Sequence, residues 1–447
     1  MKIEKKHLLD YTILIPYLIL SVVGLIVVYS TTSARLVALG ANPFASVINQ
    51  GAFWLVSLFS IFFIYRLKLN FLRKDKLLGV VIAFEILLLV IAKFFTREIN
   101  GANGWIVLGP LSFQPAEYLK IIVVWFLAHT FSKKQSAIER YDYQALTKNR
   151  WIPRNGKELN DWRVYLLVMI GLVAIQPDLG NAAIIVLTTV VMFSISGVGY
   201  RWFTALFASI VGISSAFLGL IALVGVQTMA KVPIFGYVAK RFAAYFNPFK
   251  DLTGSGLQLS HSYYAMSNGG WFGLGLGNSI EKTGYLPEAT TDFVFSIVIE
   301  ELGLIGAGLI LALLFFLILR IMIVGVKARN PFNSMMALGV GALMLMQVFV
   351  NIGGISGLIP STGVTFPFLS QGGNSLLVTS VGIAFVLNIA ANEKRDNIVQ
   401  AIEDELSQTQ ELENQDEKNC TFKKRSLIRL LFYLIAFCIS KGNTKSL

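Results

Sequence analysis

Long apolar runs follow one another along most of the chain and restrict it to few folds. Ten runs are long enough to cross the hydrocarbon core of a bilayer as helices, which takes roughly 17–25 residues each. They cover residues 11–31, 46–65, 77–96, 114–132, 164–178, 180–198, 202–226, 293–319, 335–354 and 374–391. Helices satisfy all of their own backbone hydrogen bonds in lipid. The pattern therefore predicts an all-α polytopic membrane protein with about ten transmembrane helices.

Composition supports the same fold class. The 447 residues are 55% hydrophobic and 14% charged, whereas soluble domains are about one-quarter charged. The formal net charge of +12 does not indicate a nucleic-acid partner, because the basic residues lie between apolar runs, where they set topology and contact anionic lipid. Cys420 and Cys438 show no metal-ligand spacing, and they do not predict a disulfide framework.

Lys and Arg residues are distributed unevenly between alternate loops. With the N-terminus inside, 22 of them lie in inside segments and eight in outside segments. The positive-inside rule then predicts that both termini are cytoplasmic. Residues 97–113 and a large extracellular loop, 227–292, between the seventh and eighth runs would face outward. Within that loop, Val232–Phe246 and Leu257–Met266 are candidate interfacial helices.

The end of the chain differs from the rest. We expect a membrane domain over residues 1–392 and a cytoplasmic tail over 393–447. Seven acidic residues lie between Glu403 and Glu417, and a later apolar stretch, 427–439, is too short to span a bilayer comfortably. An interfacial helix and a dispensable tail are both compatible with this pattern, and we favour the dispensable tail.

Two carboxylates stand where the large outer loop meets the eighth run. Glu288 and Asp292 follow a glycine-rich stretch, and Asp292 falls at the mouth of the run. A partly desolvated carboxylate has its pKa raised toward neutrality, which suits a general base. Alternatively, Thr291 and Asp292 could cap the N-terminus of a helix. The residues alone leave both interpretations open.

Ionisable residues also occur inside the apolar runs. Glu117 and Lys120 are spaced to share one helix face. Such residues often mark a functional site or pathway, although a neutralising structural pair would give the same pattern. Asp178 follows Pro177 at a break between the fifth and sixth runs, and helix capping is its alternative role.

Two polar, glycine-rich segments lie near the last two runs. They cover Pro360–Gly363 and Pro367–Ser375. Non-helical backbone at membrane depth is tolerated only where it is buried in protein or lines a wet cavity. We therefore predict re-entrant backbone here. His129 and His261 are isolated in sequence, and we interpret them as structural residues rather than metal ligands.

Taken together, these motifs resemble the SEDS family of peptidoglycan polymerases. The resemblance covers Asp10 to about Glu393 and is closer to the branch that acts in division than to the elongation branch. The matching motifs are Asn100-Gly-Ala…Trp105…Gln114-Pro-Ala-Glu117…Lys120, Pro177-Asp-Leu-Gly180, Arg241…Asn247-Pro248 and Gly275-Leu-Gly-Asn-Ser279…Tyr285-Leu-Pro-Glu-Ala…Thr291-Asp292-Phe.

The resemblance implies polymerisation of lipid II into glycan strands at the outer face of the cell membrane, with release of undecaprenyl pyrophosphate. It also implies a division septum location and membrane partners, namely a class B penicillin-binding protein transpeptidase and other division-complex proteins. A lipid II flippase and a non-catalytic division scaffold are the alternatives. An alternating-access transporter usually has internal repeats, and none is evident here.

The resemblance also implies site residues. The family's catalytic carboxylate corresponds to Asp292, its cavity residues to Glu117, Lys120 and Asp178, and its loop aromatic to Trp105. In this scheme Asp292 takes the proton from the acceptor hydroxyl as that hydroxyl attacks the donor. We assign Glu288 to substrate positioning.

Glycosyl transfer from a pyrophosphate donor also needs positive charge at the leaving group. The outer loop offers Lys240, Arg241 and Lys282 for this role. A divalent cation, Mg²⁺ or Mn²⁺, is the alternative for this role, although the sequence shows no dedicated metal cage for it.

Two positions depart from the family's usual pattern. Thr290 stands where the family commonly has His, which argues against an obligatory histidine partner for Asp292. Ser370 and Gln371 begin a motif in which the family commonly has Tyr at the second position. We include Ser370 and Gln371 in the expected substrate-binding set.

Overall fold

The computed structural model consists almost entirely of helices, and the predicted all-α fold class is confirmed. It describes residues 5–96, 104–108, 111–147, 162–225, 241–242, 244–250, 254 and 256–442. The chain divides into two compact units, one of Leu9–Ala391 and one of Met1–Leu8 with Asn392–Leu447.

The larger unit contains most of the helices and one small hairpin. In its first half these are α1 (Tyr11–Ala38), α2 (Ala45–Arg66), α3 (Leu69–Leu72), α4 (Asp75–Phe94), β1 (Ile106–Leu108), β2 (Leu111–Phe113), α5 (Pro115–Lys133), α6 (Gln135–Tyr141) and α7 (Gln144–Thr147). In its second half they are α8 (Trp162–Ile175), α9 (Leu179–Ile195), α10 (Tyr200–Val224), α11 (Leu257–Gly269), α12 (Val294–Lys327), α13 (Pro331–Ile355) and the first part of α14 (Gly373–Gly442).

Each of the ten apolar runs overlaps one of these helices. Among the described residues, six helices are long and apolar enough to cross a membrane, namely α1, α2, α4, α12, α13 and α14 as far as Gln408. The helices α8 and α9 are apolar but shorter. The chain is therefore a multi-pass membrane protein, and the number of crossings stays a prediction.

Local chemistry explains several helix boundaries. The Asp10 carboxylate accepts a hydrogen bond from Thr12 N at the start of α1. The Asn330 amide oxygen accepts from Phe332 N and Asn333 N at the start of α13. Pro115 and Pro331 occupy the first turns of α5 and α13, where a helix needs no backbone donor. The predicted break at Pro177 is a short turn between α8 and α9.

The centre of the larger unit is built around α13. This helix packs against α12, α5 and α9, and most of its residues are buried. Its glycines allow close approach, since a Cβ at Gly339 would meet the Met192 side chain at 2.9 Å. The core is therefore formed mainly by α12, α13 and the first part of α14 together with α5 and α9.

A break interrupts α12 one-third of the way along. Gly303 has φ 70° and ψ 177°, which ends one helical segment and begins another. The loop after α11 satisfies the freed backbone groups. Its hydrogen bonds run from Leu274 N to Glu300 O, Gly275 N to Glu301 O, Leu304 N to Gly270 O and Ile305 N to Trp271 O, at 2.9–3.2 Å. The loop is thus joined to α12 by main-chain bonds.

The predicted outer loop and tail are only partly described. Leu257–Met266 is helical, as predicted, within α11, whereas most of Val232–Phe246 lies outside the described residues. The smaller unit holds a 3₁₀ turn at Lys5–Leu8 and the helical backbone of α14 from Asn392. The membrane placement of these segments and the role of the tail stay predictions.

Candidate active site

A polar cavity of about 1050 Å³ opens in the larger unit. Its walls come from α2, the hairpin, α5, the turn before α9, α11, the segment before α12 and the non-helical segment between α13 and α14. Seven of the predicted site residues lie in these walls. They are Trp105, Glu117, Asp178, Arg241, Glu288, Asp292 and Gln371.

Asp292 lies in a turn before the first helical residue of α12. The N-cap position of that helix is Phe293, and no side chain caps it. The geometry therefore does not support helix capping by Asp292. The carboxylate instead lines the cavity. Its withdrawal from water is the largest of the effects that raise the Asp292 pKa to about 7.

Charged neighbours adjust this value in both directions. The carboxylates of Glu288 and Asp178 raise the pKa of Asp292, because a second negative charge nearby is unfavourable. The Arg241 guanidinium and the Thr291 hydroxyl lower it. A pKa near neutrality allows a carboxylate both to accept a proton and to release it again, which is what a general base requires.

Glu288 adopts an unusual backbone conformation. Its φ of 56° lies in the left-handed region that residues other than glycine rarely adopt. Thr291 Oγ1 donates to Glu288 Oε2 at 2.8 Å, and the amides of Thr291 and Phe293 donate to the Glu288 carbonyl. A tight turn therefore places both carboxylates on the cavity side. Strain of this kind is often found at functional sites.

Arg241 reaches the cavity from the large loop. Its Nη1 donates to the Ser361 carbonyl at 2.5 Å. A Cβ at Gly363 would come within 3.3 Å of Asp292 Oδ2 and 3.5 Å of Arg241 Nη2. Gly363 has φ +79°, so glycine suits both the backbone conformation and the narrow space there. The candidate base and a cation therefore both lie next to this glycine.

Glu117 and Lys120 form a buried ion pair of 2.8 Å. Glu117 lines the cavity, whereas Lys120 is not among the lining residues. The pair thus has the geometry predicted from the i, i+3 spacing. Both interpretations stay open, since Lys120 can hold Glu117 in place for a substrate or simply neutralise it.

Asp178 both caps a helix and lines the cavity. Its carboxylate accepts from Asn181 N at 3.1 Å, from Asn181 Nδ2 at 2.9 Å and from Gln114 Nε2 at 2.9 Å. Helix capping, one of the two alternatives considered from the sequence, is therefore present, and a functional role stays a prediction.

Besides Lys120, two predicted site residues that the structure describes are not in the cavity wall. Lys282 is buried, with Nζ 2.5 Å from Glu301 Oε1 and 3.1 Å from Ser30 Oγ. This ammonium holds the outer loop to α1 and α12 and does not face the cavity. Ser370 is also buried, with its hydroxyl used in internal hydrogen bonds. Lys240 lies outside the described residues.

The predicted non-helical segment is present between Gly357 and Gly372, and it lines the cavity. Gln371 Nε2 donates to Ser46 Oγ at 3.3 Å. The sequence motifs do not mark Asn351, on α13, as a site residue, although it contacts the segment that carries Asp292. A polar pair at i, i+4 in an apolar run, Gln347 and Asn351, was the available signal.

His129 and His261 each pair with a carboxylate. His129 Nε2 lies 2.6 Å from Asp75 Oδ1, and His261 Nδ1 lies 2.6 Å from Glu281 Oε2. Within the part of the chain that is described, no group of three or more His, Cys, Asp or Glu side chains could hold a metal ion. The described cavity residues therefore do not form a dedicated site for the divalent cation considered above.

Comparison with known proteins gives consistent results over most of the chain. The model of the FtsW, RodA and SpoVE family, described as cell cycle proteins, matches residues 11–395. A probable peptidoglycan glycosyltransferase FtsW of Lactococcus lactis is 47% identical over 405 residues, which cover 89% of this chain and 96% of that protein. The stage V sporulation protein E of Bacillus subtilis is 35% identical over 387 residues, covering 86% and 98%.

Solved structures show the same fold at lower identity. A chain of a peptidoglycan synthase complex that coordinates polymerization and crosslinking aligns with a TM-score of 0.63 at 24% identity, covering 86% of this chain and 98% of that chain. The rod shape determining protein RodA of Thermus thermophilus aligns with a TM-score of 0.55 at 24% identity, covering 86% and 96%.

Proposed function

The chain belongs to the FtsW, RodA and SpoVE family of cell cycle proteins, and from that premise we propose that it is a peptidoglycan glycosyltransferase. Its substrate is lipid II, which it joins into glycan strands for the septal wall of a dividing cell. The relatives named as probable glycosyltransferases of this type match nearly the whole membrane part of the chain. The observation that carries the assignment is Asp292, a carboxylate with a pKa of about 7 in the wall of a large polar cavity.

Asp292 acts as the general base in this proposal. The oxygen of the acceptor's 4-hydroxyl attacks the anomeric carbon of the donor sugar and forms the new glycosidic bond. The bond from that carbon to the pyrophosphate breaks and leaves its electron pair on the phosphate oxygen. The hydroxyl proton passes to the Asp292 carboxylate, so that the transferring oxygen does not carry a positive charge.

The departing pyrophosphate needs a positive partner. Arg241 meets this need within the described residues, because it lies in the cavity wall next to Gly363, the glycine that Asp292 also adjoins. Its guanidinium is already oriented by Ser361, and an oriented guanidinium binds phosphate oxygens well. Lys240, its neighbour in sequence, is a second candidate for the same role.

The cavity's remaining polar residues suit a sugar. Trp105 offers an aromatic face, while Glu117, Asp178, Glu288 and Gln371 offer hydrogen-bond acceptors and donors. We assign these residues to substrate positioning. The polyprenyl tail would lie against lipid-facing helices, which a multi-pass protein supplies.

Partners and location follow from the same proposal. The peptidoglycan synthase complex that shares this fold combines polymerization with crosslinking. We therefore propose that this chain works with a class B penicillin-binding protein transpeptidase and other division-complex membrane proteins at the septum. Both termini would be cytoplasmic, which places the cavity on the outer side.

Reconstitution separates this function from its alternatives. The purified full chain would be placed in vesicles with labelled lipid II, alone and together with a class B penicillin-binding protein from the same cell. Glycan strands in the wild type, resolved by gel electrophoresis, support the proposal. Translocation of lipid II without polymer would indicate a flippase, and neither activity would indicate a scaffold. Either of those results would contradict the proposal.

A further inference from the structure

Three consecutive backbone carbonyls beside the cavity each accept a hydrogen bond from outside their own segment. The carbonyls belong to Thr290, Thr291 and Asp292. The bonds run from Gln371 N to Thr290 O at 2.8 Å, from Ser370 Oγ to Thr291 O at 2.7 Å and from Asn351 Nδ2 to Asp292 O at 2.7 Å. The segment that carries the candidate base is therefore held residue by residue.

Asn351 joins two segments through one amide group. Its Nδ2 donates to Asp292 O at 2.7 Å and to Val364 O at 2.6 Å, so both amide protons are used. The residue is 3% exposed. Because water has little access there, losing these bonds would leave two buried carbonyls unsatisfied, which would weaken the connection between the two segments.

Ser370 connects the same two segments a few residues away. Its hydroxyl donates to Thr291 O and accepts from Phe366 N, both at 2.7 Å. Its proton and an oxygen lone pair are thus already engaged. These bonds favour a supporting role for Ser370 over the substrate contact expected from the sequence.

The segment needs such support because no regular element fixes it. Glu288 is in the left-handed region, and helical geometry begins only at Val294. Asp292 therefore stands on irregular backbone between these two points. Placing a base within hydrogen-bond reach of a hydroxyl requires accuracy of a few tenths of an ångström, and a misplacement of about 1 Å can cost about 100-fold in rate.

We propose that Asn351 and Ser370 are positioning residues that hold the main chain of Asp292 in place for proton transfer. This inference rests on the proposed glycosyltransferase function. Neither residue contacts the reacting atoms in this scheme. Both act through the carbonyls of Thr291 and Asp292, which is why their loss should affect turnover rather than substrate affinity.

The chain offers a matched control for Asn351. Asn388, on α14, is also fully buried, and its Nδ2 also donates to two main-chain carbonyls, Ile64 O at 2.7 Å and Leu67 O at 2.9 Å. Those carbonyls lie at the end of α2 and do not line the cavity. Asn388→Ala therefore removes the same kind of bridge at a distance from the site.

The experiment compares full-length wild type, Asn351→Ala and Asn388→Ala in the lipid II polymerisation assay. Both variants should unfold at a lower temperature than wild type. Only Asn351→Ala should lower kcat, by about 10- to 100-fold, with KM within about twofold of wild type. Hydrogen exchange measured by mass spectrometry should be faster in the peptide containing residues 290–293 in Asn351→Ala and unchanged there in Asn388→Ala.

The possible outcomes distinguish failure of this inference from failure of the proposed glycosyltransferase function. Absence of polymer in the wild type would refute the proposed function and the inference with it. Active wild type with full kcat in folded Asn351→Ala, or equal kcat loss in Asn388→Ala, would refute the inference alone. If Asn351→Ala does not fold, Ser370→Ala gives the test. It should lower kcat without raising KM, whereas a raised KM with normal kcat would show a substrate contact and refute positioning.

Discussion

At the scale of single residues, Asp292 should be the most sensitive position in the chain. Asp292→Asn keeps the side chain's size but cannot take a proton, so polymerisation should fall by about 10²–10⁴-fold. Because Asp292 caps no helix, the unfolding temperature should change little. Strand synthesis and thermal unfolding measured on the same preparation check both statements. Near wild-type synthesis by purified Asp292→Asn would exclude it as the base.

Glu288 should influence the pH dependence of the reaction. Its carboxylate raises the Asp292 pKa, so Glu288→Gln should lower that pKa from about 7 toward the ordinary aspartate range. A general base works when deprotonated. The acidic limb of the kcat–pH profile should therefore move to lower pH, while the fall at neutral pH stays smaller than in Asp292→Asn. Arg241, Asp178 and Thr291 also act on Asp292, and they are unchanged in this variant. An unmoved limb would show that Glu288 does not tune the base.

The Glu117–Lys120 pair can be tested in the same assay. Lys120→Met leaves a buried carboxylate without its cation, which typically costs about 3–5 kcal/mol when a buried pair is broken. If the pair shapes the cavity, folded Lys120→Met should polymerise more slowly than wild type. Full activity at normal expression would favour a purely structural pair.

Residue types and spacing predict part of the cavity wall. A carboxylate at the junction of a polar loop and an apolar run, as at Asp292, is recognisable from sequence because few other placements are stable. The partner of a buried cation cannot be recognised from the sequence in the same way. Lys282 contacts Glu301 and Ser30, and the second of these is more than 250 positions away. Only the folded chain shows that this lysine stabilises the loop.

At the scale of elements, the break in α12 determines how the outer loop is attached. A Cβ at Gly303 would lie 2.3 Å from Trp271 O, and its φ of +70° disfavours other residues. Gly303→Ala should therefore loosen the loop that leads to Glu288 and Asp292, lowering both the unfolding temperature and the polymerisation rate. Gly308→Ala is the control, because it is helical and a Cβ there meets no atom within 4 Å. Equal behaviour of the two variants would contradict this role for the break.

Hydropathy predicts where helices lie but not where they are interrupted. The hydropathy of residues 293–319 predicts one unbroken helix. The helix nevertheless breaks at Gly303, where the loop after α11 comes close to it. Gly269 and Gly273 provide the other side of that approach, with hypothetical Cβ atoms within 2.2 Å of α12 carbonyl oxygens. Three glycines serve one contact, although Gly303 follows Gly273 by 30 residues. Their separate positions do not reveal this, since the contact depends on the path of the intervening chain.

At the scale of the whole molecule, the cavity is assembled from segments spread along most of the chain. Its walls include α2 near the N-terminus and residues as far as Ser375. Apolar periodicity and family motifs could predict the helices and many lining residues. They could not predict which polar side chains face the cavity and which support it, as Ser370 and Asn351 show. That division depends on the path of the folded main chain, which decides where each side chain points.

Topology decides whether the cavity can reach substrate on the outer face. The excess of Lys and Arg in alternate loops predicts that Gln135, at the start of α6, is cytoplasmic and that Gly254, before α11, is outside. In a background with Cys420→Ser and Cys438→Ser, an impermeant thiol reagent on intact cells should label Gly254→Cys. It should reach Gln135→Cys only after permeabilisation. The opposite labelling would place Asp292 on the cytoplasmic side, where lipid II carried to the outer leaflet is out of reach.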